Sequence, residues 1–158
     1  MKLRPDLMPP VLDEPLVARL TMLAEEIDCG HEEQTQSQVA AFNREAMTAL
    51  EFIDFQGIYG GQSHDTWVRK VLATPYERRV ADVTKQELVE LARRVMEGVG
   101  ADHEVEFWLS MLAINIPHER ISDLIFWPDE YFDEADYPQR LSPEQVIEIA
   151  LNDRDAVL

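Results

Sequence analysis

The segment Thr84–Gly100, TKQELVELARRVMEGVG, decides the fold class. Thr84 stands three positions before Glu87, the spacing of a capping box, in which each side chain accepts the backbone N–H of the other residue. Leu88, Leu91 and Val95, with Met96 beside them, recur at helical spacing and make one apolar stripe. Gly98 and Gly100 then end the helix. The segment predicts an amphipathic helix with one face turned to a core.

Outward towards the carboxy terminus the same signals repeat. Asp102 opens DHEVEFWLSMLAINI, with Val105, Trp108, Leu109 and Leu112 expected inside and Pro117 just past the end. Next comes ISDLIFWPDEYFDEAD, residues 121–136. Leu124, Ile125, Phe126 and Trp127 run straight into Pro128, and Asp129, Glu130, Asp133, Glu134 and Asp136 follow with no Lys or Arg among them. Ser142 and Gln145 have the spacing of a second capping box before QVIEIAL, with Pro143 at the favoured first helical position.

Outward in the other direction, Pro5, Pro9, Pro10 and Pro15 predict an extended arm over residues 1–15. Leu16, Leu20, Leu23 and Ile27 predict a helix that Cys29-Gly30 closes as a C-cap. A second helix is expected over residues 32–50, with Val39, Phe42, Ala46 and Leu50 on one stripe. FIDFQGIYGG is short, aromatic and broken by Gly57, Gly60 and Gly61. Ser63 caps a further helix that turns Trp67, Val68, Val71 and Leu72 inward and that Pro75 closes. No segment alternates apolar and polar residues for long, so little or no sheet is expected. The fold class is all-α.

The two halves share one order of events, which points to an internal duplication at an offset of about 70 residues. FIDFQGIY lies over ISDLIFWP, with Asp54 over Asp123. The expected organisation is a proline-rich arm at 1–15, a degenerate helical repeat unit at 16–76 and a second helical unit at 82–158.

The chain carries 31 acidic and 14 basic residues, a formal net charge of −17. Residues 82–158 hold 18 acids and 6 bases, and residues 1–81 hold 13 and 8, so the later half carries most of the field. Such a surface repels phosphate backbones, which disfavours direct nucleic-acid binding, and it either favours a basic partner or only maintains solubility. No apolar run approaches the roughly 18 residues of a membrane span. The single cysteine, Cys29, fits a reducing cytoplasm. Residues 55–61, FQGIYGG, lack the Gly-Lys-Ser/Thr of a phosphate loop. Cys29 and His31 are only a fragment of a zinc site, and no two of the four histidines lie four residues apart. No catalytic constellation, metal or cofactor is indicated, and the protein is expected not to be an enzyme.

In residues 82–152, the order T-x-x-E-L-V-x-L, a glycine break, an acidic second helix, S-D-L-I-F-W-P and a capped S-P-E-Q-V-I helix resembles the colicin and pyocin immunity proteins. The most specific piece is Ser122-Asp123-Leu124-Ile125-Phe126-Trp127-Pro128, where Phe126 and Trp127 replace the usual tyrosines. The resemblance implies an antiparallel four-helix unit with a very short third helix, and, through the internal repeat, two such units in tandem. It implies an inhibitor of a cognate antibacterial toxin, a basic nuclease domain, bound beside its active site. It carries the partner-binding role onto Asp102, Glu104 and Glu106 of the second helix and onto Asp123, Phe126, Trp127, Pro128, Asp129 and Glu130. The residues alone leave two alternatives open. Phe126 and Trp127 can belong to the core, and the chain can be a helical adaptor or oligomerisation module with no toxin partner.

Overall fold

The computed structural model describes residues 1–116, 118, 120–132 and 140–156. Among them every regular element is helical, and no helix is long and apolar enough to cross a membrane. The chain forms two compact units, Pro10–Thr74 and a second made of Pro75–Leu158 together with Met1–Pro9.

In the first unit, α1 (Glu14–Cys29) buries Val17, Leu20, Ala24 and Ile27. Leu16 and Leu23 of the expected stripe are partly buried against the same core. Gly30 follows in extended backbone, φ −101°, and not as a left-handed cap. Its lack of a side chain answers a steric need instead: a Cβ there would sit 2.5 Å from Thr35 Cγ2 and 2.8 Å from the Glu26 carbonyl oxygen.

The second helix is shorter than its periodicity suggests. A 3-10 turn occupies Glu32–Gln34, and α2 runs only over Gln36–Ala46 before Met47 turns left-handed at φ 57°. Asn43 explains the early stop. Its side chain donates to the Leu50 carbonyl at 2.9 Å and accepts from the Leu50 N–H at 2.9 Å and the Thr48 hydroxyl at 2.8 Å. Short amides compete in this way with the backbone ladder of a helix.

A 3-10 turn at Phe52–Phe55 and the four-residue α3 (Ile58–Gly61) lead to α4 (His64–Ala73). Ser63 caps α4 as expected, its hydroxyl accepting from the Thr66 N–H at 3.1 Å. Phe42, Phe55 and Trp67 meet at the centre with ring centroids 4.9–5.7 Å apart, in the edge-on and tilted geometries that aromatic quadrupoles favour.

In the second unit, α5 (Lys85–Glu97) packs against α6 (Asp102–Asn115) and α9 (Pro143–Ala156). Both expected capping boxes are made, Thr84 with Glu87 and Ser142 with Gln145. Leu88, Leu91 and Val95 are buried. On α6, Trp108 and Leu112 are inside, joined by Phe107 and Met111, while Val105 and Leu109 are only half-buried. The Asn115 carboxamide ties the incoming chain to α6. It accepts the Val80 N–H at 2.7 Å and donates to the Met111 and Arg78 carbonyls.

The first nine residues form part of this unit. Leu3 and Leu7 are buried, around a 3-10 turn at Pro5–Leu7. The Arg4 guanidinium forks onto the Glu87 carboxylate at 2.7 and 2.6 Å and reaches Asp82 at 2.6 Å. Arg4, against the opposing effect of burial, holds the Glu87 carboxyl at about 2. Arg93, again against burial and with help from Arg94, does the same for Glu90, also at about 2. These arginines are committed to internal carboxylates.

Candidate functional site: an exposed aromatic turn after α6

α7 (Ile121–Phe126) is six residues long and turns Ile121, Leu124 and Ile125 inward at i, i+3 and i+4. That spacing leaves Phe126 outside. Pro128 opens α8 (Pro128–Tyr131), and a proline disfavours helical backbone in the residue before it. Trp127 accordingly leaves the helix at φ −137°, ψ 58°. The consequence is a pair of adjacent large apolar side chains in solvent, Phe126 48% and Trp127 57% exposed. Neither residue belongs to the core.

The turn is held by Arg120. Its Nε lies 3.0 Å from Asp123 Oδ2, its Nη2 donates to the Glu130 carbonyl at 3.3 Å, and its guanidinium sits 4.9 Å from the Tyr131 ring centroid. One cation thus joins the first turn of α7 to α8. His118 adds a second brace, with Nε2 3.1 Å from the Tyr131 hydroxyl. Phe132 meets Tyr131 edge-on at 4.9 Å. Neither His118 nor Arg120 was among the residues expected at the site. The signal for Arg120 was its i, i+3 spacing to Asp123 and its place just ahead of an otherwise base-free stretch.

The other expected site residues divide. Asp123 is exposed enough to meet a partner, at 37% of its side chain, but part of its charge is taken by Arg120. Pro128 and Asp129 are half-buried beside it and Glu130 is exposed. Asp102 and Glu104 lie in the first turn of α6, at the opposite end of that helix from the turn into α7. The helix separates those ends by about 20 Å at ~1.5 Å per residue. Glu104 accepts the Ala101 N–H at 3.0 Å and so serves as a helix cap. Asp102 and Glu106 are exposed. Asp123 to Glu130 lie together on α7 and α8, and Asp102, Glu104 and Glu106 lie on the first half of α6. Asp133, Glu134 and Asp136 lie outside the described residues.

Such an arrangement is suited to protein contact. Two aromatic side chains stand on a short, braced turn, with carboxylates beside them. Large rigid side chains supply contact area at little cost in rotamer freedom.

Residues 80–156 match the family model described as colicin immunity protein / pyocin immunity protein. The chain is also 40% identical over 73 residues to a Bacillus subtilis (strain 168) protein described as uncharacterized protein YezA. That match covers 46% of this chain and 94% of the relative. No solved structure matches the chain.

Proposed function

The chain belongs, through residues 80–156, to the colicin/pyocin immunity protein family, and on that premise we propose that it is a non-enzymatic inhibitor of a basic antibacterial toxin domain. The observation that carries the reading is the exposed Phe126–Trp127 pair. A soluble domain gains nothing in its own stability by leaving two adjacent aromatics in water, whereas aromatic anchors dominate the energy of protein interfaces.

The chemistry of the partner follows from charge. A net −17 accelerates encounter with a basic surface and rejects acidic ones. A nuclease domain is basic where it must hold phosphates, so a nuclease is the toxin class that such a field suits best. Phe126 and Trp127 would anchor, and Asp123, Asp129 and Glu130 would steer, with Asp102, Glu104 and Glu106 on α6 as a second acidic group. The Trp127 indole N–H remains able to donate a hydrogen bond where a tyrosine hydroxyl would otherwise do so.

The test is co-purification of the tagged chain from its native host at moderate salt, with mass spectrometry of what stays bound. The expected result is one basic, toxin-like domain near a one-to-one ratio, whose toxicity the chain suppresses. Recovery of the chain alone, with the product of the neighbouring gene tested and not bound, would contradict the reading.

A further inference from the structure

The first unit displays an apolar turn of its own, and nothing in that unit accounts for it. The Phe52–Gly61 segment buries Phe55 and Ile58 but leaves Ile53 70% and Tyr59 82% exposed. Glu51 and Asp54, both exposed, flank them. The turn is pinned from beneath by a mostly buried carboxylate. Asp28 accepts the Gly57 N–H at 3.1 Å, the Tyr59 N–H at 3.4 Å and faces His64 Nε2 at 2.8 Å. The Asp28 and His64 side chains are 10% and 9% exposed. The Tyr59 ring stacks over the His64 ring at 6.1 Å. A buried polar pair is costly to form, and here it fixes the direction of an exposed tyrosine.

Gly60 and Gly61 supply an independent observation. Both lie in α3, neither has the positive φ that would require glycine, and a Cβ at either would meet no atom within 4 Å. Glycine destabilises a helix relative to alanine. Neither φ nor crowding within this unit calls for glycine at these two positions, and bare backbone beside Tyr59 lets a partner backbone approach closely.

We propose that the Tyr59 turn, with Ile53, Gly60 and Gly61, is a docking surface for a basic toxin domain. The partner class rests on the function proposed above and on charge. Residues 10–74 hold 11 acids and 4 bases, and two of the bases are paired internally, Arg19 with Glu45 and Arg69 with Glu14 and Asp65. A basic face meets little repulsion there, whereas a second copy of this chain would bring −17 against −17.

The test uses full-length chain and, as probe, the inactivated basic domain recovered by co-purification, with affinity read by calorimetry. Tyr59→Ala is expected to weaken binding by about tenfold or more, as interface aromatics do. The double variant Gly60→Ala/Gly61→Ala is expected to weaken it by about fivefold while leaving the thermal midpoint unchanged or higher, because alanine suits a helix better. Wild-type affinity in both variants, with binding lost in Phe126→Ala/Trp127→Ala, would overturn this surface and leave the proposed function intact. The converse pattern would support this surface and remove the α7 turn. Retention of no basic protein would overturn both. A wild-type dimer that Tyr59→Ala dissolves would overturn the assignment by making a second copy the occupant.

Discussion

The Tyr59 turn of the first unit and the Trp127 turn of the second reach a similar display by different anchoring. Each is a short helical segment that leaves two large apolar side chains in solvent, the first sinking Phe55 and Ile58 and the second Ile121, Leu124 and Ile125. The first is pinned from below, by the mostly buried Asp28, which accepts the Gly57 and Tyr59 amides and lies against His64. The second is pinned from outside, by Arg120 reaching Asp123, the Glu130 carbonyl and the Tyr131 ring, with Arg120 48% exposed. A mostly buried brace costs desolvation, and the side chain it holds away from water is that of His64. A surface brace is cheap to form and weak. The contrast lies in the anchor: the first turn is held by a carboxylate that is mostly inside, and the second by a cation at the surface.

The largest effect that would break the contrast lies in the cores. Phe55→Ala removes the fully buried ring under the first turn and should destabilise that unit by about 3–5 kcal/mol. Leu7→Ala should destabilise the second unit by about 3 kcal/mol, because Leu7 is fully buried there despite lying at the start of the chain. Denaturant unfolding of the full chain, followed by hydrogen exchange, would show the losses in different units. Loss in the first unit from Leu7→Ala would contradict the assignment of the arm.

The braces themselves come next. Asp28→Ala takes the partner from the buried His64 ring and leaves the Gly57 and Tyr59 amides to water, with an expected loss of about 2 kcal/mol. Arg120→Ala should cost under about 1 kcal/mol, as for other exposed ion pairs. Equal losses would mean that the buried and surface braces do not differ in kind.

Acid sharpens the comparison further. Burial raises the Asp28 pKa, but its hydrogen bonds to His64, Gly57 and Tyr59 outweigh it, and the net shift is downward. Glu87 and Glu90 fall from 4.5 to about 2. A carboxylate whose pKa is depressed by folding stabilises the fold above its unfolded pKa, and that contribution disappears as pH falls from about 4.5 to about 2. The urea midpoint of the second unit should therefore drop over that window, and Glu87→Gln should flatten the drop. An unchanged slope would show that the Arg4–Glu87 contact does not persist in solution.

The smallest effect concerns Met47, a non-glycine residue in left-handed backbone at the end of α2. Met47→Gly should raise stability by at most about 1 kcal/mol by removing the Cβ clash. A lower midpoint would mean that the exposed side chain makes a contact worth more than the strain.

What was legible in the sequence was local. The caps at Ser63, Thr84 and Ser142 each join groups three residues apart, so their spacing alone reveals them. The α7 turn was legible for the same reason, since apolar spacing and Pro128 act within a few residues. The end of α2 was hidden because Asn43 reaches Leu50 by a side-chain bond that leaves no periodic trace. The arm was hidden because Arg4 meets Glu87 across 83 positions, and nothing near Pro5 signals a partner that far along the chain. At the site, exposure of Phe126 and Trp127 was undecided in sequence, as aromatic residues at helical spacing serve cores and interfaces equally. Arg120 was missed because its role needs three groups brought together by two short helices.

The measurement that tests the central claim most directly is the affinity of Phe126→Ala/Trp127→Ala for the purified basic partner, with the thermal midpoint recorded on the same samples. Exposed at about half their surface, the two side chains contribute little to folding, so the midpoint should stay near that of the wild type. Affinity should fall by about a hundredfold, the loss typical of paired aromatic anchors. Wild-type affinity in a folded double variant would contradict the account.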